Sequence, residues 1–87
     1  MVIEQFKNRD AKLIYQRFLE KGRMMPDGLT YKKSWIEANF DRCFQLMECD
    51  DLSLLQEWIL QWHDLMEFEI VAVVESKKTS ETVKKFL

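Results

Sequence analysis

A carboxylate stands in the middle of the first strand-like run of the chain. Glu4 lies within residues Met1–Phe6, most of which are strand formers. A charged group in a buried strand costs free energy unless it is paired or solvated. Two interpretations stay open. Either the strand is short and Glu4 meets water or an arginine, or Glu4 is a functional group such as a general base.

The tryptophans are the side chains best suited to hold a flat ligand. Trp58 and Trp62 lie one helical turn apart, so both can press on a sheet. Core packing explains such a pair more often, yet the same spacing would form an aromatic wall. Trp35 falls on a predicted strand, where it is either a core residue or a contact between subunits.

The longest predicted loop, Gly22–Leu29, carries an arginine between a glycine and two methionines. The guanidinium of Arg23 can bind an anion with a fork of donors, and methionines offer an adaptable apolar surface. The loop is therefore either a lid over a site or simply a turn containing Pro26. The candidate ligand-binding residues are Glu4, Arg23, Trp35, Trp58 and Trp62, and no catalytic residue is assigned.

Few residues are suited to a metal or a cofactor. His63 is the only histidine, and at a helix end its expected role is a favourable charge near the helix dipole. Cys43 and Cys49 lie six residues apart in one predicted strand, hence about 20 Å apart, which is too far for a disulfide. There is no zinc-type Cys/His set, phosphate-binding glycine motif or serine nucleophile motif. We expect no metal and no cofactor.

Composition limits the class of protein. The chain has 87 residues, of which 47% are hydrophobic, so we expect one folded domain. Its 13 basic and 15 acidic residues give a net charge of −2, which does not favour nucleic-acid binding. No apolar run approaches the roughly 20 residues that span a bilayer, and no basic segment precedes the first strand. We therefore expect a cytoplasmic protein without a membrane partner.

Apolar periodicity and turn residues predict the order strand, helix, strand, strand, helix, strand. The predicted strands cover residues 1–6, 29–37, 42–49 and 68–74, and the predicted helices cover 11–21 and about 52–63. This order is the ferredoxin-like βαββαβ arrangement, an α+β fold with a four-stranded antiparallel sheet and both helices on one face. We expect the first and third strands to be adjacent and parallel at its centre.

Two details complete the predicted domain. In the second strand, Tyr31, Lys33 and Trp35 are expected to share a face. Residues 1–75 form the predicted ferredoxin-like domain, and residues 76–87 form a charged tail in which Ser80 caps a final short helix.

The sheet face without helices is predicted to be apolar. On the central strands neither face is mainly polar, because Cys43 and Met47 alternate with Phe44 and Leu46. Such an open face would exceed the apolar patch that monomers tolerate. We therefore expect a homodimer that buries this face.

Several segments together resemble a bacterial family catalogued as a domain of unknown function. They are Met1–Glu4, Gly22–Leu29, Ser34–Trp35, Arg42–Glu48, Glu57–Trp62, Asp64–Leu65 and Phe68–Ile70, and they span residues 1 to about 75. The resemblance implies an architecture like that of dimeric α/β-barrel proteins. These include cofactor-independent monooxygenases, isomerases, haem peroxidases and small binding proteins, so the fold alone does not identify a function.

Three functional hypotheses follow. The first is a homodimeric protein that binds a small molecule in a cleft between sheet and helices. The second is a cofactor-independent monooxygenase or isomerase, which would require Glu4 to line a cavity beside Trp58 or Trp62. The third is a structural module whose open face and tail bind a different protein.

Overall fold

The computed structural model describes all 87 residues and contains one sheet and three helices. The elements are β1 (Val2–Phe6), α1 (Ala11–Lys21), β2 (Thr30–Ile36), β3 (Arg42–Glu48), α2 (Ser53–Leu60), β4 (Met66–Ile70) and α3 (Ser76–Lys84). The first six elements follow the predicted βαββαβ order and form the predicted ferredoxin-like α+β fold. No helix is both long enough and apolar enough to cross a lipid bilayer.

The sheet has the strand order β2-β3-β1-β4, and every neighbouring pair is antiparallel. The expected parallel pairing of the first and third strands is therefore wrong. The crossover through α1 makes β1 and β2 run the same way. Because β3 returns from β2 as a hairpin and inserts beside β1, it must run opposite to both.

Helix α1 has the predicted bounds because capping residues stand at both ends of its apolar periodic segment. The Asp10 carboxylate accepts a hydrogen bond from the Leu13 N–H at 3.3 Å, which caps the first turn. Gly22 ends the helix with a φ of 68°, and its N–H donates to the Phe18 carbonyl at 2.7 Å. The loop that follows then runs toward α2, where its Arg23 carbonyl accepts a hydrogen bond from Trp58.

Strand β2 contains a bulge that changes which side chains share a face. Tyr31 pairs with Met47 and Lys33 pairs with Leu46, so Lys32 is the extra residue. Tyr31 therefore lies on the helix side with Ser34, and its hydroxyl is 2.7 Å from the Ser34 hydroxyl. The expected common face of Tyr31 and Trp35 is wrong because uninterrupted alternation assumes no bulge.

Strand β4 is shorter than predicted and begins earlier. Met66 pairs with Phe6 and Ile70 pairs with Val2, so β4 ends where its antiparallel partner β1 begins. Val71 still exchanges two hydrogen bonds with Met1, at 2.7 and 2.8 Å, but the chain beyond has no neighbouring strand. The predicted strand residues 71–74 are exposed, and so is all of α3.

The core lies between the sheet and the first two helices. It consists of Val2, Phe6, Ile14, Leu29, Leu55, Trp58, Trp62 and Met66. Gly28 shapes its rim, with a φ of 92° and a position where a Cβ would lie 3.0 Å from the Leu54 Cδ1 atom. The helix side of the sheet is therefore closely packed except at one cavity.

Candidate functional site

A cavity of about 180 Å³ opens between the sheet and the helices. Its apolar lining is formed by Phe6, Ile14, Phe18, Trp58, Trp62 and Met66. Its polar lining is formed by Glu4, Tyr15, Arg23, Ser34, Cys43 and Gln45. An apolar cavity with a few converging polar groups is the usual form of a small-molecule site.

Glu4 is buried in the wall of this cavity with only 3% of its surface exposed. The Gln45 amide Nε2 donates a hydrogen bond to the Glu4 Oε1 atom at 2.7 Å. Burial raises the pKa of Glu4, while hydrogen bonds from Gln45 and Cys43 and the charge of Arg23 lower it by less. Glu4 makes no ion pair. Its buried surroundings therefore favour the neutral, protonated form of the carboxyl group.

Gln45 is the residue that sequence reasoning missed. It is buried, it faces Glu4 across the β1–β3 pair, and its amide Oε1 atom has no hydrogen-bond donor in the protein. Alternation along β3 places Gln45 on the same face as Cys43, but only the strand register shows that Cys43 is the direct partner of Glu4. A buried acceptor without a donor is uncommon in proteins.

Cys43 contributes a thiol that remains protonated. Burial, followed by the charge of Glu4, raises the pKa of Cys43 to about 12. Since the thiolate is the reactive form, Cys43 is not a nucleophile at neutral pH. Both cysteines are free, and Cys49 packs against the core but does not line the cavity.

Trp58 and Trp62 form one wall of the cavity and also hold the backbone of the loop at Arg23. Their exposed fractions are only 2% and 3%. Both indole Nε1–H groups donate to the same acceptor, the Arg23 backbone carbonyl, at 2.8 and 2.9 Å. The edge of Trp58 meets Phe68 in a T-shaped contact with centroids 5.9 Å apart. The two tryptophans therefore serve as core residues and as cavity wall at once.

The side chain of Arg23 is held by aromatic rings and makes no ion pair. Its guanidinium carbon lies 3.7 Å from the Tyr31 ring centroid and 5.1 Å from that of Phe18. Tyr15 lies at the more exposed part of the lining, and burial, followed by the charges of Cys43 and Glu4, raises the pKa of its hydroxyl. Arg23 is thus a fixed cation in the cavity wall.

Four of the five predicted site residues come together here, and Trp35 does not. Glu4, Arg23, Trp58 and Trp62 line the cavity. Trp35 lies on the opposite face of the sheet with 47% of its surface exposed, and the Lys33 Nζ atom is 5.4 Å from its ring centroid. The alternation of β2 separates Trp35 from the cavity.

Neither His63 nor an acidic cluster adds a metal-binding group to the cavity. The imidazole of His63 is exposed, and its Nδ1 atom is 3.2 Å from the Leu60 carbonyl, as suits a residue near a helix end. Nowhere in the chain do three or more His, Cys, Asp or Glu side chains gather in a way that could hold a metal ion.

A family model matches the chain from residue 1 to residue 87, and its description is Domain of unknown function (DUF3303). The chain belongs to the DUF3303 family. This confirms the resemblance recognised from the sequence. No curated protein and no solved structure matches the chain significantly.

The chemistry available in this DUF3303 domain follows from the geometry. One end of the cavity offers the Glu4 and Gln45 oxygens as hydrogen-bond acceptors, and the opposite wall offers the rings of Trp58 and Trp62. In its ionised form, the buried Glu4 carboxylate can also accept a proton from a bound molecule. Binding and proton transfer are therefore the two activities that these residues can support.

Proposed function

We propose that this domain binds a small molecule in the cavity between its sheet and helices and that it does so as a homodimer. The observation that carries the proposal is the placement of Glu4 and Gln45, two buried polar side chains, in the same cavity as Trp58 and Trp62. Buried polar groups are costly to fold around. A cavity that keeps two of them beside an aromatic wall is better suited to recognition than to packing.

The size of the cavity limits the ligand. A cavity of about 150 Å³ accommodates benzene, and the cavity here measures about 180 Å³. One six-membered ring with a small substituent therefore fits, whereas drug-sized ligands require larger pockets.

The three indole N–H signals of the protein report on binding by NMR. Trp58 and Trp62 line the cavity and Trp35 lies on the opposite face, so Trp35 is an internal control. We expect a panel of monosubstituted benzenes at millimolar concentration to shift the first two signals and leave the third unchanged. The variant Trp35→Phe assigns the control signal.

A matched pair of variants tests whether the shifts arise from the cavity. Cys43→Leu places a larger side chain in the cavity wall, whereas Cys49→Leu makes the same change at a half-buried position outside it. We expect Cys43→Leu to abolish the shifts and Cys49→Leu to keep them. Shifts that survive in both variants, or no shift in the unmodified protein, would contradict the proposed function.

The proposed dimer uses the open face of the sheet, which is opposite the helices. Ile3, Phe44 and Trp35 form an apolar strip across β1, β3 and β2. Lys33 flanks this strip on β2, and the flanking acidic residues on β4 are Glu67 and Glu69. A two-fold axis parallel to the strands would set β2 of one subunit over β4 of the other, which brings these opposite charges together.

Sedimentation tests the dimer. We expect a mass near twice 10.6 kDa. A stable interface of this kind buries about 1,200 Å² or more and should hold the dimer together at tens of micromolar. Phe44→Lys is expected to give a folded monomer, and the exposed helix residue Leu13 provides a control in the variant Leu13→Lys. A monomer in the unmodified protein would contradict this part of the proposal.

A cofactor-independent enzyme is the second candidate, and one observation favours it. Glu4 lines a cavity beside both Trp58 and Trp62, which is the arrangement this hypothesis requires. Burial also raises the pKa of Glu4, which makes its carboxylate a stronger base. The test is exchange of the α-protons of cyclohexanone in deuterated water, in which Glu4 takes the proton and returns a deuteron. Catalysed exchange that is lost in Glu4→Gln would support the enzyme, and equal exchange with and without protein would oppose it.

A further inference from the structure

On β1 and β3 the cavity lining presents the acceptor oxygens of Glu4 and Gln45, whereas its free donors, the Arg23 guanidinium and the Tyr15 hydroxyl, belong to the loop and to α1. The amide Oε1 atom of Gln45 has no donor in the protein. Beside it, the Glu4 carboxylate accepts from the Gln45 amide nitrogen at 2.7 Å. The Ser34 hydroxyl is engaged with the hydroxyl of Tyr31 at 2.7 Å. A ligand that reaches the Glu4 and Gln45 oxygens must therefore bring its own donor.

The aromatic wall, by contrast, has no polar group to offer. The indole N–H groups of Trp58 and Trp62 both donate to the Arg23 carbonyl, at 2.8 and 2.9 Å. Since an indole has a single donor and no acceptor, these side chains present only ring surface to the cavity. They select for an apolar, flat body and not for a polar one.

We infer that the cavity is specific for a neutral single-ring compound that carries an O–H or N–H donor, with Gln45 Oε1 as the acceptor that reads this donor. This inference rests on the proposed function and adds the chemical class of the ligand. Removing a partner from a buried polar group leaves that group desolvated. A ring of the same size without a donor therefore leaves Gln45 Oε1 unpaired and binds more weakly.

Phenol and toluene are a matched pair of probes, because a hydroxyl in one replaces a methyl in the other. Titration at pH 7, followed by the indole N–H signals of Trp58 and Trp62, gives both dissociation constants. We expect phenol to bind at least tenfold more tightly than toluene. In Gln45→Leu, which keeps the bulk of the side chain and removes the acceptor, the ratio of the two dissociation constants should fall to about one.

The outcomes separate this inference from the proposed function. Equal binding of phenol and toluene would overturn the inference and leave the binding site in place. Tighter binding of benzoate than of phenol would overturn it too, because the cation of Arg23 would then be selecting an anion. Failure of all three probes to bind would overturn the proposed function itself. If Gln45→Leu does not fold, Gln45→Met makes the same test with an unbranched side chain. The comparison of phenol with toluene in the unmodified protein tests the inference without either variant.

Discussion

The two faces of the sheet are formed by alternate residues of the same strands, yet polar side chains are buried on one face and reach solvent on the other. On β1, Val2, Glu4 and Phe6 face the helices and are buried, whereas Ile3 and Gln5 face outward and are half-buried. Gln5 donates to the Asp41 carboxylate at 2.7 Å, within reach of solvent. Glu4 has an amide partner and no cation in an ion pair. The comparison indicates that the helix side carries the core and the candidate site, while the open side is the face on which we propose the dimer contact.

Replacing one tryptophan on each face gives the largest expected difference. Trp58→Ala is expected to lower the free energy of unfolding by about 3–5 kcal/mol, the range for a buried aromatic side chain. Trp58 also loses its hydrogen bond to the Arg23 carbonyl and its contact with Phe68. Urea unfolding followed by circular dichroism measures this loss.

Trp35→Ala is the control on the open face. Because Trp35 is about half exposed, we expect it to change the free energy of unfolding of the monomer by less than about 1 kcal/mol. Its larger effect should be on association, measured by sedimentation. A loss of stability as large as that of Trp58→Ala would remove the distinction between the two faces.

Local signals in the sequence were enough to predict the elements whose two ends they mark. Asp10, the periodic apolar residues and Gly22 all agree on the bounds of α1, and the observed helix matches them. Burial of Glu4 was one of the two interpretations that its place in a strand left open. The aromatic wall was foreseeable as well from the four-residue spacing of Trp58 and Trp62, although the predicted helix end near residue 63 is wrong: α2 ends at Leu60, and Trp62 lies in the turn that follows.

What could not be foreseen depends on pairing between distant segments. The acceptor on Gln45 matters only because β3 pairs with β1, 41 residues away in the chain. The position of Tyr31 depends on a bulge that no residue pattern in β2 announces. The end of β4 depends on where β1 begins. The site is thus a product of strand register, which periodicity within one segment does not contain.

The helix face of the sheet carries one buried acid, Glu4, whose charge affects stability. At neutral pH, Glu4→Gln should raise the free energy of unfolding by on the order of 1 kcal/mol, because a buried carboxylate is replaced by a neutral amide that Gln45 can still bond. Burial raises the pKa of Glu4 above its ordinary value of 4.5. The folded state therefore binds more protons than the unfolded chain, so stability falls as pH rises through the folded pKa.

Unfolding experiments between pH 4 and 8 measure this effect in the ligand-free protein. The unmodified protein should lose stability across the window in which Glu4 ionises, and Glu4→Gln should lack that component. Glu57→Gln is the matched control, because Glu57 is exposed on α2, and it should follow the unmodified protein. A destabilised Glu4→Gln protein would show that a cation stabilises Glu4 and would contradict the description of the helix face.

The smallest expected effect comes from an acid at the solvent edge of the helix layer, where the pH dependence has the opposite sign. Arg17 on α1 holds Asp64 with two hydrogen bonds of 2.6 and 2.7 Å, and this pairing lowers the pKa of Asp64 to about 2. The folded state therefore binds fewer protons than the unfolded chain, so the contribution is present above the ordinary value of 3.8 and is lost as pH falls toward about 2. Because the Asp64 side chain is 55% exposed, solvent screens the pair, and Asp64→Asn should lower the free energy of unfolding at pH 7 by only about 0.5–1 kcal/mol. Asp27→Asn, at an exposed loop position, is the control. Opposite slopes for Glu4 and Asp64 would show that burial dominates at Glu4 and that the arginine pair dominates at Asp64, whereas slopes of the same sign would mean that a cation stabilises the ionised form of Glu4 as well.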